Sequence, residues 1–196
     1  MPKPRIFISH SENNREPTDY AIRLLNYLGC IPVIAEEMPR LNRTVSNLVN
    51  DSMDTCDAVI VIATPDLEGN SGKSPSQGVL IEIGKLQDSE KFKGKYFIIK
   101  EETVTLGPMI PESRYKFSMS NFSHIAEAIL IELGSMGFFK NYYEMKGSEL
   151  KIHDLIETLA QLKELFDKNV FNKQEFKKYA EKIIQEIIGR VMGESI

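Results

Sequence analysis

The sequence is poor in the features that mark several classes of protein. Its 196 residues contain no Trp and only two Cys, Cys30 and Cys56, which are too few to hold a fold together by disulfide bonds. No apolar run reaches the ~18 residues of a membrane span. The N-terminal residues lead directly into a strand-like run, without a secretory segment or cleavage site. We therefore expect a cytoplasmic protein that has no membrane partner.

A surplus of positive charge is also absent. Lys and Arg number 24 against 28 Asp and Glu, which gives a net charge of −4. From residue 138 onward the chain carries ten basic and ten acidic side chains, so the negative balance falls on the first 137 residues. A protein held to nucleic acid by phosphate contacts carries a basic surface. We therefore expect no nucleic-acid partner.

The first two-thirds of the chain alternate between strand-like and helix-like segments. The strand-like segments are Arg5–Ser9, Cys30–Ala35, Asp57–Ala63 and Tyr96–Lys100, and the helical ones are Thr18–Leu28, a segment that begins at about Thr44, and Asn121–Met136. This alternation predicts an α/β fold, a parallel sheet with helices on both faces, because parallel strands need long crossovers. Ligands of such sheets bind beyond the carboxyl ends of the strands. The loops expected there are Ser9–Pro17, Glu36–Arg43 and Thr64–Gln77.

The last part of the chain has a different pattern. Apolar residues recur at helical spacing over Ser148–Lys168 and Lys173–Met192, with a turn between them at Asn169–Asn172. The pattern predicts a C-terminal helical hairpin within residues 138–196. Because a helical pair alone buries its apolar stripes poorly, we expect this hairpin to pack on the main domain or on another copy of the chain.

Glu82 is the acidic residue whose surroundings are most unusual. It interrupts the apolar segment Gly78–Gly84, although a carboxylate is rarely buried without a partner. Two interpretations stay open from the residues alone. Glu82 is either an exposed acid on an amphipathic segment or a carboxylate held near the ligand crevice for a function.

The other candidates lie in loops. The polar turn Glu36–Arg43 is either a solvated loop or a flap whose arginines meet phosphate or a neighbouring protomer, and Thr44 after it is a predicted N-cap. His10 follows the first strand and is either a loop histidine or a ligand contact. His124 and His153 have no Cys or acidic partner at metal-ligand spacing, so we expect no metal site. Neither GxGxxG nor a P-loop is present.

Several segments, taken in order, resemble one known family, the bacterial and archaeal TIR-like nucleotide-binding domains that serve as effectors of cyclic-nucleotide antiphage systems. The segments are Arg5-Ile6-Phe7-Ile8-Ser9-His10, the run from Gly29 to Pro39, Arg43-Thr44-Val45, the run from Asp57 to Asp66, and Gly78-Val79-Leu80-Ile81-Glu82-Ile83-Gly84. The last of these is similar to the family element Asn-Val-x-x-Glu-x-Gly. The resemblance covers about residues 5–137, and we expect residues 1–137 to form the TIR-like domain.

The resemblance implies a flavodoxin-like TIR fold and cleavage of the nicotinamide–ribose bond of NAD, with Glu82 as the catalytic carboxylate. NAD is then a substrate, and no cofactor is expected. By the same resemblance the substrate-binding residues are Phe7, Ser9, His10, Glu37, Arg43, Thr44 and Asp66. One departure bears on ligand orientation: the family commonly has Asn, with Arg shortly before it, where this chain has Gly78 after Ser76 and Gln77.

The leading hypothesis is therefore a TIR-type NAD glycohydrolase that is activated in defence signalling by self-assembly or by a partner. We expect a homo-oligomer that forms through the C-terminal helices or through TIR surfaces. Two alternatives remain. One is a non-catalytic nucleotide-binding scaffold, which the Gly78 departure favours. The other is an enzyme similar to nucleoside deoxyribosyltransferases, which also combine a related sheet with a catalytic Glu.

Overall fold

A computed structural model describes residues 2–11, 15–35, 44–66, 74–108, 110, 113, 115–138, 155, 159, 163 and 173–192. By compactness the chain divides after Phe122 into one unit, Pro2–Phe122, and a second that contains Ser123–Ile196. The predicted division of the chain into a domain of residues 1–137 and a helical part of residues 138–196 stays a prediction. No helix in the described ranges is long and apolar enough to cross a bilayer.

The first unit is built on a five-stranded sheet in which every neighbouring pair is parallel. The strands are β1 (Arg5–His10), β2 (Ile31–Val33), β3 (Ala58–Ala63), β4 (Tyr96–Glu101) and β5 (Tyr115–Phe117). Their order is β2-β1-β3-β4-β5. This order is that of flavodoxin-like folds, and it confirms the predicted α/β class with a parallel sheet.

In the described ranges, three helices belong to this unit, and two more with defined bounds belong to the second unit. They are α1 (Glu16–Tyr27), α2 (Val45–Asp54), α3 (Gln77–Gln87), α4 (Ser123–Ser135) and α5 (Lys173–Met192). The starts of α2 and α3 are fixed by hydroxyl caps. Thr44 accepts a hydrogen bond from the Asn47 N–H at 3.3 Å, and Ser76 accepts one from the Val79 N–H at 3.5 Å. The prediction that Thr44 is an N-cap is confirmed.

The third strand occupies the centre of the sheet, as its composition predicts. All six residues of β3 are buried, which is typical of a parallel strand covered on both faces. Alternate residues of β1, β3 and β4 form one apolar cluster with α2 and α3. Its members on the strands include Phe7, Val59, Val61, Ala63 and Ile98, and those on the helices are Val49, Met53, Val79, Ile83 and Leu86. We call this side of the sheet the α2/α3 face.

The two edge strands differ most from the prediction. β2 has three residues rather than the six of Cys30–Ala35, and Pro32 lies in its middle. A proline is tolerated there because β2 is at the edge of the sheet, where one row of N–H groups needs no partner. β5 was not predicted, since three residues are too few to show an alternating pattern.

The second unit pairs α4 with α5, which pack against each other. Ala180, Ile184 and Ile187 of α5 are buried within the chain, so this part of the predicted apolar stripe has a partner in its own unit. Of the predicted helix Ser148–Lys168, only residues 155, 159 and 163 are described, and each of them is helical. The predicted turn at Asn169–Asn172 lies outside the described residues. An oligomer formed by these helices stays a prediction.

Candidate active site

The topology of the sheet creates a crevice at one place on its carboxyl edge. From β1 the chain crosses to β2 on one side, and β3 lies on the other side of β1. The crossovers therefore leave β1 and β3 in opposite directions, which opens a space between the carboxyl ends of these two strands. His10 at the end of β1 pairs with Ile62, one residue before the end of β3. The residues that follow both strands meet at this edge.

Glu82 lies in the second turn of α3, the helix that follows β3. Val79, Ile83 and Leu86 form the buried stripe of this helix, whereas Ile81 is 51% exposed. Glu82 lies beside the buried stripe and is itself half-buried. Helical side chains lean toward the N-terminus of their helix, which here is the end near the carboxyl edge of the sheet. The interpretation of Glu82 as a freely exposed acid is therefore disfavoured.

Two hydrogen bonds join α2 to α3 and to the residues that follow α3. The Lys85 ammonium donates to the Asn50 side-chain oxygen at 2.8 Å, and the Lys91 ammonium donates to the Asp54 carbonyl at 2.5 Å. Both helices connect parallel strands and pack on the same face of the sheet, so α2 and α3 run in the same direction. Glu82 precedes Lys85 by three residues, or about 4.5 Å along the axis, and lies on the same side of the helix. Glu82 thus lies one turn closer than Lys85 to the N-terminal end of α3.

The predicted residues of β1 divide between the two faces of the sheet. Phe7 and Ser9 lie on the α2/α3 face, and alternation turns His10 to the other face. Phe7 and Ser9 are each 1% exposed, and His10 is half-buried. In the described part of the chain the Ser9 hydroxyl has no hydrogen-bond partner. A buried hydroxyl without a partner is costly, which is typical of a group that meets a ligand or water.

Asp66 lies just beyond β3 and is half-buried. Its N–H donates to the Ser74 carbonyl at 2.8 Å, so the two described ends of the Thr64–Gln77 loop lie together beside the start of α3. Thr44 is the N-cap of α2, the helix that precedes α3 in the chain. Glu37 and Arg43 lie outside the described residues. The structure therefore brings Phe7, Ser9, Glu82, Thr44 and Asp66 to elements around one edge, while their contacts with a ligand remain predictions.

Three buried polar side chains near this edge were not singled out from the sequence. Thr64 follows β3, and Thr18 lies in the first turn of α1. Lys100 is the next-to-last residue of β4. Neither threonine hydroxyl has a partner among the residues that the structure describes. A short polar residue next to an apolar run is typical of the beginning of a loop, so the sequence does not predict that these threonines are buried.

The two thiols are unsuited to nucleophilic chemistry. Cys30 and Cys56 are both free and buried. Burial raises the pKa of Cys30 to about 12, and the charge of Asp57 adds to the effect. Burial also raises the pKa of Cys56, against the smaller opposing influence of the Thr55 hydrogen bond and two nearby cations. A protonated thiol is a poor nucleophile, so Glu82 is the stronger catalytic candidate.

The fold of the first unit is that of a TIR domain. The family model described as "CAP12/Pycsar effector protein, TIR domain" matches residues 5–107, more than half of the chain. The chain belongs to this family of TIR-domain effector proteins. The resemblance stated from the sequence is confirmed. No curated protein matches the chain.

Proposed function

We propose that this TIR domain is an NAD glycohydrolase in which Glu82 is the catalytic carboxylate. The observation that carries the proposal is the placement of Glu82, half-buried in the second turn of α3, the helix that follows β3 at the carboxyl edge of the sheet. Membership of a TIR effector family supports the same conclusion. The substrate is NAD, and the reaction needs no resident cofactor.

Cleavage of the nicotinamide–ribose bond requires a group that stabilises positive charge on the ribose, and a carboxylate can do so. The C–N bond between nicotinamide and ribose breaks, nicotinamide leaves with the bonding electron pair, and the ribose carbon passes through an oxocarbenium-like transition state. The Glu82 carboxylate stabilises this positive charge electrostatically or traps it as a covalent ester. Water then supplies the hydroxyl group of ADP-ribose, and one proton is released.

Other residues on the elements around this edge of the sheet have supporting roles in the proposal. The Ser9 hydroxyl and the Phe7 ring lie on the sheet face that α3 covers, where they would contact the ribose and the base. Thr44 and Asp66 lie at the ends of adjoining elements, and His10 lies at the end of β1. Glu37 and Arg43, outside the described residues, complete the proposed set from the flap.

The decisive experiment follows NAD, nicotinamide and ADP-ribose by chromatography over a range of protein concentrations. Wild type is compared with Glu82→Gln, Glu82→Ala and Glu90→Gln. Glu90 is a matched control because it follows α3 and makes only an exposed ion pair of 3.7 Å with Lys93. We expect the Glu82 variants to lose turnover by at least about 10²–10³-fold and Glu90→Gln to retain it.

Dependence on concentration tests activation by self-assembly. Turnover per protomer that rises with protein concentration or with a crowding agent supports it. Equal NAD loss without Glu82 contradicts the assignment of the catalytic residue. Binding of NAD or ADP-ribose with no turnover, even in assembled samples, favours the scaffold alternative, and base exchange on a nucleoside panel favours a deoxyribosyltransferase-like enzyme.

A further inference from the structure

Lys100 is a buried cation for which the described residues supply no counter-ion. Its side chain lies near the end of β4 and is 7% exposed. The ammonium donates one hydrogen bond, of 2.7 Å, to the Val104 carbonyl. No carboxylate pairs with it among the residues that the structure describes. An ammonium group has three donors, so this contact uses one of the three.

A structural role alone accounts poorly for this arrangement. Removing an ammonium group from water is expensive unless it is paired and hydrogen-bonded. The neighbouring loop is also held without it, because the Glu101 carboxylate accepts a hydrogen bond of 2.8 Å from the Thr103 N–H and another from the Thr103 hydroxyl. The positive charge of Lys100 is therefore unexplained by the loop that it touches.

The sheet register places Lys100 on the side of the proposed active site. Lys100 pairs with Ala63, the last residue of β3, and Ala63 belongs to the apolar cluster of the α2/α3 face. Lys100 thus lies at the carboxyl edge, on the sheet face that α3 covers. Ser9 lies on the same face, two strands away and two residues farther from the carboxyl edge, because it pairs with Val61. From strand spacing and rise, the two Cα atoms are on the order of 12 Å apart.

Both groups have unused hydrogen-bonding capacity. The Ser9 hydroxyl is buried with no partner in the described ranges, and the Lys100 ammonium keeps two N–H groups beyond its bond to Val104. A cation and a hydroxyl on one sheet face, on either side of the carboxyl end of β3, match a ligand that carries an anionic group and a sugar. In a domain with net negative charge, an anion must be held by a few well-placed cations.

We propose that Lys100 is a substrate-binding residue that holds a phosphate group of the nucleotide at the carboxyl end of β4. This inference rests on the proposed function for the identity of the nucleotide. The ammonium acts as a point charge on the phosphate oxygens, a role for which lysine is well suited. Ser9 donates to the ribose on the other side of β3.

The test compares Lys100→Met with Lys116→Met in the wild-type background. Met keeps the apolar stem of the lysine and removes its charge. Lys116 is a matched control because it pairs with Lys100 on β5 and is exposed. Titration calorimetry measures the affinity for ADP-ribose, which carries two phosphates, and for adenosine, which carries none. We expect Lys100→Met to weaken ADP-ribose binding by about tenfold to a hundredfold.

Adenosine affinity should stay within about twofold in both variants, and Lys116→Met should bind ADP-ribose like wild type, because neither comparison removes a charge–phosphate contact. Equal ADP-ribose affinity in Lys100→Met and wild type overturns the proposal, and so does a parallel loss of adenosine. If Lys100→Met does not fold, NMR of the ¹³C-methylated wild-type protein replaces it. The Lys100 resonance, identified by its absence in Lys100→Arg, must then shift on addition of ADP-ribose, and an unshifted resonance overturns the proposal.

NAD turnover separates this proposal from the proposed function. A raised KM in Lys100→Met with kcat little changed supports both. An unchanged KM overturns the role of Lys100 and leaves the glycohydrolase intact. Loss of ADP-ribose binding in Lys100→Met, in a protein that never cleaves NAD, supports the phosphate contact and contradicts the glycohydrolase.

Discussion

Lys85 on α3 and Asn50 on α2 are joined by a hydrogen bond of 2.8 Å between the ammonium group and the side-chain oxygen. Both residues are on the surface of the first unit, and their contact joins two helices that carry proposed site residues. Glu82 lies one turn before Lys85, and Thr44 lies at the start of the helix that holds Asn50. We therefore expect this contact to help hold Glu82 in position relative to the α2 cap.

Asn50→Ala tests that dependence. The bond is exposed, so we expect the free energy of unfolding to fall by less than about 1 kcal/mol. NAD turnover should fall by more than this small loss suggests, because α3 is released at the turn next to Glu82. Thermal unfolding and NAD turnover are measured together.

The control for this variant is Lys93→Ala, which removes the exposed ion pair with Glu90 and leaves the α2–α3 contact intact. Its turnover should equal that of wild type. An Asn50→Ala protein with full turnover would show that the hydrogen bond does not position Glu82. A loss of several kcal/mol would show that the bond is a larger part of the packing than its exposure indicates.

Much of the fold could be predicted from local sequence patterns, but less of the candidate site could. The apolar run of β3 and the Thr44 cap are local features, so the sequence predicted them. Glu82 could be singled out because a charge interrupts an apolar segment. Lys100 could not be singled out, because a lysine at the end of an apolar strand usually reaches solvent. Its burial depends on the loop after β4, which places the Val104 carbonyl beside the ammonium group. The missing partner of Ser9 likewise depends on tertiary packing.

Gly78 tests the departure from the family pattern. It is exposed in the first turn of α3, and a Cβ atom there would meet only the Ser76 hydroxyl oxygen, at 4.0 Å. Gly78→Asn and Gly78→Ala should both fold, with unfolding free energies up to about 1 kcal/mol higher than wild type, because glycine is a poor helix former. The two variants differ in the amide group.

The comparison of the two Gly78 variants isolates that amide. We expect Gly78→Asn to bind ADP-ribose several-fold more tightly than Gly78→Ala, which should resemble wild type, because an amide offers two donors and an acceptor to a ligand. Titration calorimetry at one salt concentration measures the difference. Equal affinities would show that the amide is not needed for ligand orientation in this chain.

The buried thiols give a prediction about chemical reactivity. Burial raises the pKa of both Cys30 and Cys56, that of Cys30 to about 12. We expect neither thiol to react with an aromatic disulfide reagent at pH 8 in the folded protein, because the thiolate is the reactive form. Both should react in denaturant, where no other cysteine contributes. A reaction of either thiol with the native protein as fast as with a free thiol would contradict the burial described here.

The second unit carries a titration that should affect its stability. Burial raises the pKa of Glu127 on α4, and the like charge of Glu181 adds to this, while the charges of His124 and Lys177 oppose it. A carboxyl whose pKa is higher in the folded state binds a proton more readily there than in the unfolded chain. Its ionisation therefore costs stability above the folded-state pKa, and the cost disappears as the pH falls below the unfolded value of 4.5.

Glu127→Gln removes this cost, so the variant should melt at a higher temperature than wild type at pH 7.5. The difference should shrink steadily as the pH is lowered toward 4.5, since wild-type Glu127 then becomes neutral as well. Thermal unfolding of the two proteins across this pH range measures it. A variant of the exposed Glu102, Glu102→Gln, serves as the control and should show no such convergence. A Glu127→Gln protein that is less stable than wild type at pH 7.5 would mean that the charged carboxylate makes a net favourable contact with His124 and Lys177.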